Sequence, residues 1–110
     1  MNIPGGGAFQ KQLMRQMEKL QKDLQAAQEE LGEMRIEATA GGGAVTAVAN
    51  GSGELIDLRI SPEAVDPSDV EMLQDLVLAA VRESLEKARE AQQEKLGGLS
   101  GGLGLPGGII

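Results

Sequence analysis

The chain contains no cysteine, histidine, tryptophan or tyrosine, and Phe9 is its single aromatic residue. Without cysteine there are neither disulfides nor thiolate metal sites, and nothing points to an oxidising compartment. The lack of His, Cys and Tyr leaves catalysis to carboxylates, lysines and hydroxyls, and no serine has an evident base. The expectation is a protein that is not an enzyme, needs no cofactor and takes no small-molecule substrate. With so few aromatics the core must be built from Leu, Ile, Val, Met and Ala, which suits helix seams and thin sheet packing. A second subunit would supply the missing burial. Long hydrophobic runs are also missing: the longest, Leu76 to Val81, is far too short to cross a bilayer. The start Met-Asn-Ile-Pro-Gly lacks the basic flank and apolar stretch of a signal peptide, so a cytoplasmic protein without a membrane partner is expected.

What the 110 residues do contain is concentrated in one small domain. Glycine and proline dominate both ends. The chain is therefore divided into a flexible N-terminus (1–7), a single α+β domain (8–96) and a Gly-rich flexible tail (97–110).

Leu13, Met17, Leu20, Leu24, Ala27, Leu31 and Met34 alternate steps of four and three, the a/d seam of a helix that packs against another helix. A helix over residues 8–33 would be roughly 39 Å long, against a radius of gyration of about 13 Å for a compact domain of this size. It must project as an arm. Its seam then asks for cover from the second long helix or another chain. Gly32 is placed to end the helix in a left-handed conformation.

From Met34 the period changes to two, with Met34, Ile36, Ala38 and Ala40 on one face of a strand. Gly41–Gly43 connect to a second strand over Ala44–Ala49, Asn50-Gly51 reads as a tight turn, and Glu54–Ile60 as a third strand. Ser61-Pro62 and Asp66-Pro67 both have the form of a helix start, and Asp66 is taken as the cap of the second long helix. In that helix Val70, Leu73, Leu76, Val77, Ala80, Val81, Leu85 and Ala88 form one stripe for the sheet and partner helix. The expected fold is α+β: a long N-terminal helix, a three-stranded antiparallel meander and a long C-terminal helix, dimeric with projecting arms.

The formal charge is -7, but its distribution matters more than its sum. Glu54, Asp57, Glu63, Asp66, Asp69, Glu71 and Asp75 face Arg59 alone in one segment, while Lys11, Arg15, Lys19 and Lys22 face Glu18 alone in another. Asp66, Asp69 and Glu71 lie where a helix start favours acids, so no metal site is assigned to them. The triple glycine is followed by neither a Lys-Ser/Thr pair nor a helix, and reads as a hairpin, not a phosphate loop.

The basic stripe remains. In the heptad register Lys11, Arg15, Lys19 and Lys22 occupy outward b, f, c and f positions, and Gln10, Gln12, Gln16 and Gln21 between them can donate hydrogen bonds to phosphate oxygens. Lys11 stands about 31 Å of rise from the end of the helix, several Debye lengths from the acidic segment.

These residues resemble a known family, the bacterial YbaB/EbfC nucleoid-associated proteins. The likeness lies in Met14-Arg15-Gln16-Met17 with Lys19 and Gln21, in Gly41-Gly42-Gly43-Ala44-Val45, and in Asn50-Gly51 with Gly53-Glu54. It continues through Asp69-Val70-Glu71-Met72-Leu73, Asp75-Leu76-Val77 and Ala79-Ala80 to Gly102-Leu103-Gly104-Leu105-Pro106-Gly107. The resemblance implies a homodimer with tweezer-like helical arms that binds double-stranded DNA with little strict base specificity, shapes the nucleoid and influences transcription. Relatives often carry lysine in the second and third strands; here Thr46, Ala47, Ala49, Ser52 and Ile56 leave Arg59 as the main cation of the sheet. The implied DNA contacts therefore fall on Lys11, Arg15, Lys19 and Lys22. Arg82, Lys87, Arg89 and Lys95 are secondary, diluted by Glu83, Glu86, Glu90 and Glu94. The alternative is a prefoldin-like arm chaperone or adaptor gripping protein clients, which the acidic balance and the apolar Phe9, Leu96, Leu99 and Leu103 would suit.

Overall fold

The computed structural model describes residues 6–102, in the order α1 (Gly6–Glu33), β1 (Ile36–Ala40), β2 (Val45–Ala49), β3 (Leu55–Ile60), a 3-10 turn (Pro62–Ala64) and α2 (Val70–Gly102). The strands form one antiparallel sheet in the order β1-β2-β3, the meander expected from the period-two stretches. α2 lies across β1 and β2, where Val45, Ala47 and Ala80 form the innermost core with Ala40, Leu73, Leu76, Val77 and Val81 around them. Ala80, Ser84 and Ala88 are all fully buried at intervals of four residues, so along this line small side chains let the helix approach the sheet closely, with the larger Leu73, Leu76, Val77 and Val81 packing beside it. The buried Ser84 hydroxyl is satisfied within its own helix, donating to the Val81 carbonyl at 2.8 Å.

The molecule is drawn out, 79 × 26 × 18 Å with a radius of gyration of 21.7 Å, well above the roughly 13 Å of a compact domain. The cause is the two long helices, about 42 Å and 50 Å by their residue counts. Among the described residues no helix is long and apolar enough to cross a membrane.

Several boundaries differ from the expectation for physical reasons. Gly32 does not end α1 in a left-handed conformation; the helix runs on to Glu33, and the positive-φ glycines are Gly41, Gly42, Gly43 and Gly53. The Leu31 carbonyl is instead satisfied by the amides of Met34 (3.2 Å) and of Gly51 (2.7 Å), the second from the turn between β2 and β3. Met34, the last residue of the proposed seam, consequently lies beyond the helix. Asn50-Gly51 is not a two-residue turn either: Asn50 and Glu54 are bridged by Asn50 N–H donating to the Glu54 carbonyl at 2.9 Å, with Gly53 supplying the positive φ. The register between β2 and β3 shifts there by one residue, with Val48 opposite Asp57 and Ala49 opposite Leu55, which leaves Ile56 as the extra residue of a bulge.

The cap of α2 is Asp69, not Asp66. Asp69 Oδ1 accepts from the Met72 amide at 3.3 Å, the usual geometry of a residue just before the helix. Asp66 closes a separate turn, accepting from the Ser68 amide at 3.0 Å and the Ser68 hydroxyl at 2.7 Å. That hydroxyl, then the amide, hold the Asp66 carboxyl below its ordinary value. Because the helix starts later, Val70 is exposed and drops out of the buried stripe. α2 also continues past Leu96 to Gly102, so the first residues assigned to a flexible tail are helical. The rest of that tail and residues 1–5 lie outside the described residues.

Candidate nucleic-acid interface

α1 splits into two halves according to what its seam touches. Near the sheet Ala27 and Leu31 are buried, at 4% and 3% exposure, while farther out Leu13 and Met17 stand at 46% and 57%. α2 explains the difference. Its later part runs back along the base of α1, where Lys95 is ion-paired with Glu30, and a cleft between the helices is lined by Asp23, Ala26, Ala27, Lys95 and Leu99. Leu20 is half-buried and Leu24 is exposed at the margin of this contact. The outer half of the arm, with Phe9, Leu13, Met14 and Met17 exposed, is left uncovered by the other described residues.

The same outer half carries Lys11, Arg15, Lys19 and Lys22, all exposed. At about 100° per residue these four fall within about 80° of one another, nearly opposite the apolar seam, over about 17 Å of rise. Among the described residues none of the four forms an ion pair. A row of exposed cations on a rigid rod is suited to phosphate oxygens, which need charge and donors but no shaped pocket.

The cations of α2 are placed differently. Arg89 is tied to Glu86 at 3.1 Å and Lys87 to Glu83 at 3.7 Å; Lys87 also donates to the Glu37 carbonyl at 3.3 Å, and Lys95 belongs to the interhelical pair with Glu30. Arg82 is exposed and has no ion pair among the described residues. The eight candidate cations thus separate into a grouped set of four on α1 and a set of four on α2, three of the latter engaged by carboxylates.

Residues 7–103 match the YbaB/EbfC DNA-binding family. The chain belongs to that family. It is 52% identical over 102 residues to a nucleoid-associated protein of Pelotomaculum thermopropionicum, covering 93% of this chain and 96% of the other. A nucleoid-associated protein of Streptomyces griseus is 56% identical over 108 residues, covering 97% and 95%. The fold matches the crystal structure of an uncharacterized Helicobacter pylori protein with a TM-score of 0.69 at 25% identity, over 76% of this chain and 88% of that one. YbaB/EbfC is a DNA-binding family, not an enzyme class.

In this YbaB/EbfC member the sheet adds little positive charge. Arg59 on β3 is held by its neighbour Asp57 at 3.1 Å. Two further features lie at the foot of the arm. Arg35, between α1 and β1, is exposed, in line with the outward face of the period-two stretch that it shares with Glu37 and Thr39. Asn50 is buried in the turn below it, where its side-chain oxygen accepts from the amides of Ser52 and Glu54, each at 3.0 Å, and its amide donates to the Glu54 carboxylate at 3.1 Å. This rigid turn presents the Gly51 amide to Leu31 and so anchors the arm to the sheet. The Asn-Gly pair was visible in the sequence, but its contact with a helix end twenty residues earlier was not.

Proposed function

We propose that the protein is a homodimer that holds double-stranded DNA through phosphate contacts along its α1 arms, chiefly Lys11, Arg15, Lys19 and Lys22. Arg82 and Arg89 make secondary contacts. The observation that carries this reading is the grouping of four exposed cations, none of them ion-paired among the described residues, on the outward face of a projecting helix. Family membership supplies DNA as the ligand. Binding is to the backbone, so base specificity is low; two arms gripping one duplex change its path, which organises the nucleoid and influences transcription. The description of its relatives as nucleoid-associated supports a place at the nucleoid, in the cytoplasm.

The dimer reading rests on apolar surface that the described residues leave in water. Besides the outer seam of α1, Leu55, Ile56, Leu58 and Ile60 of the edge strand β3 are all exposed. An apolar sheet edge of this kind invites a second copy.

Salt dependence tests the reading. If both arms of a dimer engage, about eight cations neutralise phosphates and the slope of log affinity against log salt is near -7; one engaged arm gives about -3.6. Titration of duplex DNA at several salt concentrations, with sedimentation to fix the subunit number, separates the two. A flat salt response contradicts phosphate binding, and a monomer at the concentrations that bind DNA contradicts the paired arms.

A further inference from the structure

The charge on the outward face of α1 changes sign along the helix. In the f column of its heptads Arg15 is followed by Lys22 and then by Glu29, and in the c column Lys19 is followed by Ala26 and Glu33; the b column departs from this order, with Lys11 followed by Glu18, so the outer half keeps an excess of cations over that one glutamate. One heptad is about 10.5 Å of rise, close to the Debye length in physiological salt, so the reversal is felt locally and not averaged along the rod. Glu29 and Glu33 are exposed and, among the described residues, have no ion-pair partner, whereas Glu30 is accounted for by Lys95.

Helix stability does not explain this order. A helix favours acids in its first turn and cations in its last; α1 has no acid in the first and no base in the last, with four cations and Glu18 in its outer half and glutamates at its foot. At the foot Glu30 and Glu33 lie in the last turn, where the macrodipole disfavours them. Nor does packing explain it, since Glu29 and Glu33 both point away from the seam that carries Ala27 and Leu31.

We propose that Glu29 and Glu33 are specificity-determining residues that set the inner boundary of the DNA footprint. They confine the duplex to the outer half of each arm and hold it off the sheet and the acidic segment Glu63–Asp75. DNA sliding inward past Lys22 would exchange attraction for repulsion within a single heptad. The inference rests on the arm reading above and adds residues that repel DNA to those that attract it.

The test uses the full chain, whose lack of cysteine lets one introduced thiol carry a photo-cross-linker. Gln12→Cys reports the outer arm and Gln28→Cys its foot, both at exposed positions. In the otherwise native background DNA cross-links from position 12 and not from position 28. With Glu29→Gln and Glu33→Gln, cross-linking extends to position 28, and a short duplex binds about three- to tenfold tighter at low salt. The equal charge change Glu63→Gln with Glu71→Gln leaves both readouts as they were. Cross-linking from position 28 in the native background, no inward extension in the double variant, or the same gain from the control pair each overturns the boundary. Absence of cross-linking from position 12 overturns the arm reading itself.

Discussion

The outer arm of α1 and the helix-on-sheet body are built on opposite rules. In the body β2 and the small residues Ala80, Ser84 and Ala88 of α2 are hidden, every buried side-chain polar atom among the described residues has a partner, and the segment leading into α2 is acidic. In the outer arm the side chains stand in water, the seam is bare and the four cations are without carboxylate partners among the described residues. The body holds its shape by packing and tolerates little change in volume. The arm is held by backbone hydrogen bonds and an anchor at its foot, and its side chains are left over for a ligand. Stability and binding should therefore respond to different substitutions.

Replacing Lys11, Arg15, Lys19 and Lys22 together with Gln gives the largest separation. Affinity for duplex DNA falls by about a thousandfold or more at low salt, while the melting temperature moves little because the sites are exposed. Comparable loss of both would break the division of labour. Gly51→Ala acts the other way: its new Cβ would sit 2.8 Å from the Leu31 carbonyl oxygen and Cδ2 and 2.9 Å from Met34 Sδ. Denaturant unfolding should show a loss of about 2–3 kcal/mol, the cost of forcing a shift in a close-packed joint. An unchanged midpoint would mean that the arm is not anchored there. Smaller still, Asp69→Ala removes the cap of α2 and costs about 1 kcal/mol, while Asp66→Ala costs less; the reverse order would restore Asp66 as the cap.

The smallest effect is tied to pH. The fold lowers the pKa of Asp66, so its ionised form is the one favoured by folding. That contribution is complete above the unfolded carboxylate value and fades as pH falls through the lowered one. Asp66→Asn should therefore lower the melting temperature slightly at neutral pH and leave it unchanged in strong acid. A difference that grows towards acid pH would contradict the direction of the shift.

Much of the fold is legible because it obeys local periods. The four-three spacing of Leu13, Met17, Leu20 and Leu24 finds α1, and the alternation of Ile36, Ala38 and Ala40 finds the face of β1 turned inward, with Glu37 and Thr39 exposed. The four arm cations are legible for the same reason, since a heptad register fixes direction as well as spacing. Where the expectation failed at the end of α1, a distant group had taken over a local task. Gly32 is a plausible helix end until Gly51 supplies a donor to Leu31, whereas Asp66 loses the cap locally, its carboxylate being taken up by Ser68 while Asp69 accepts from Met72. The uneven cover of the α1 seam was hidden too, because it depends on where α2 passes and not on the residues of α1.

Amide chemical shifts of the isotope-labelled protein, recorded with and without a short duplex at low salt, test the central claim most directly. The account predicts that the largest changes fall on residues 11–22, with β1, β2 and residues 62–75 nearly unmoved. Changes centred on the sheet or on residues 62–75, with the outer arm unaffected, would contradict it.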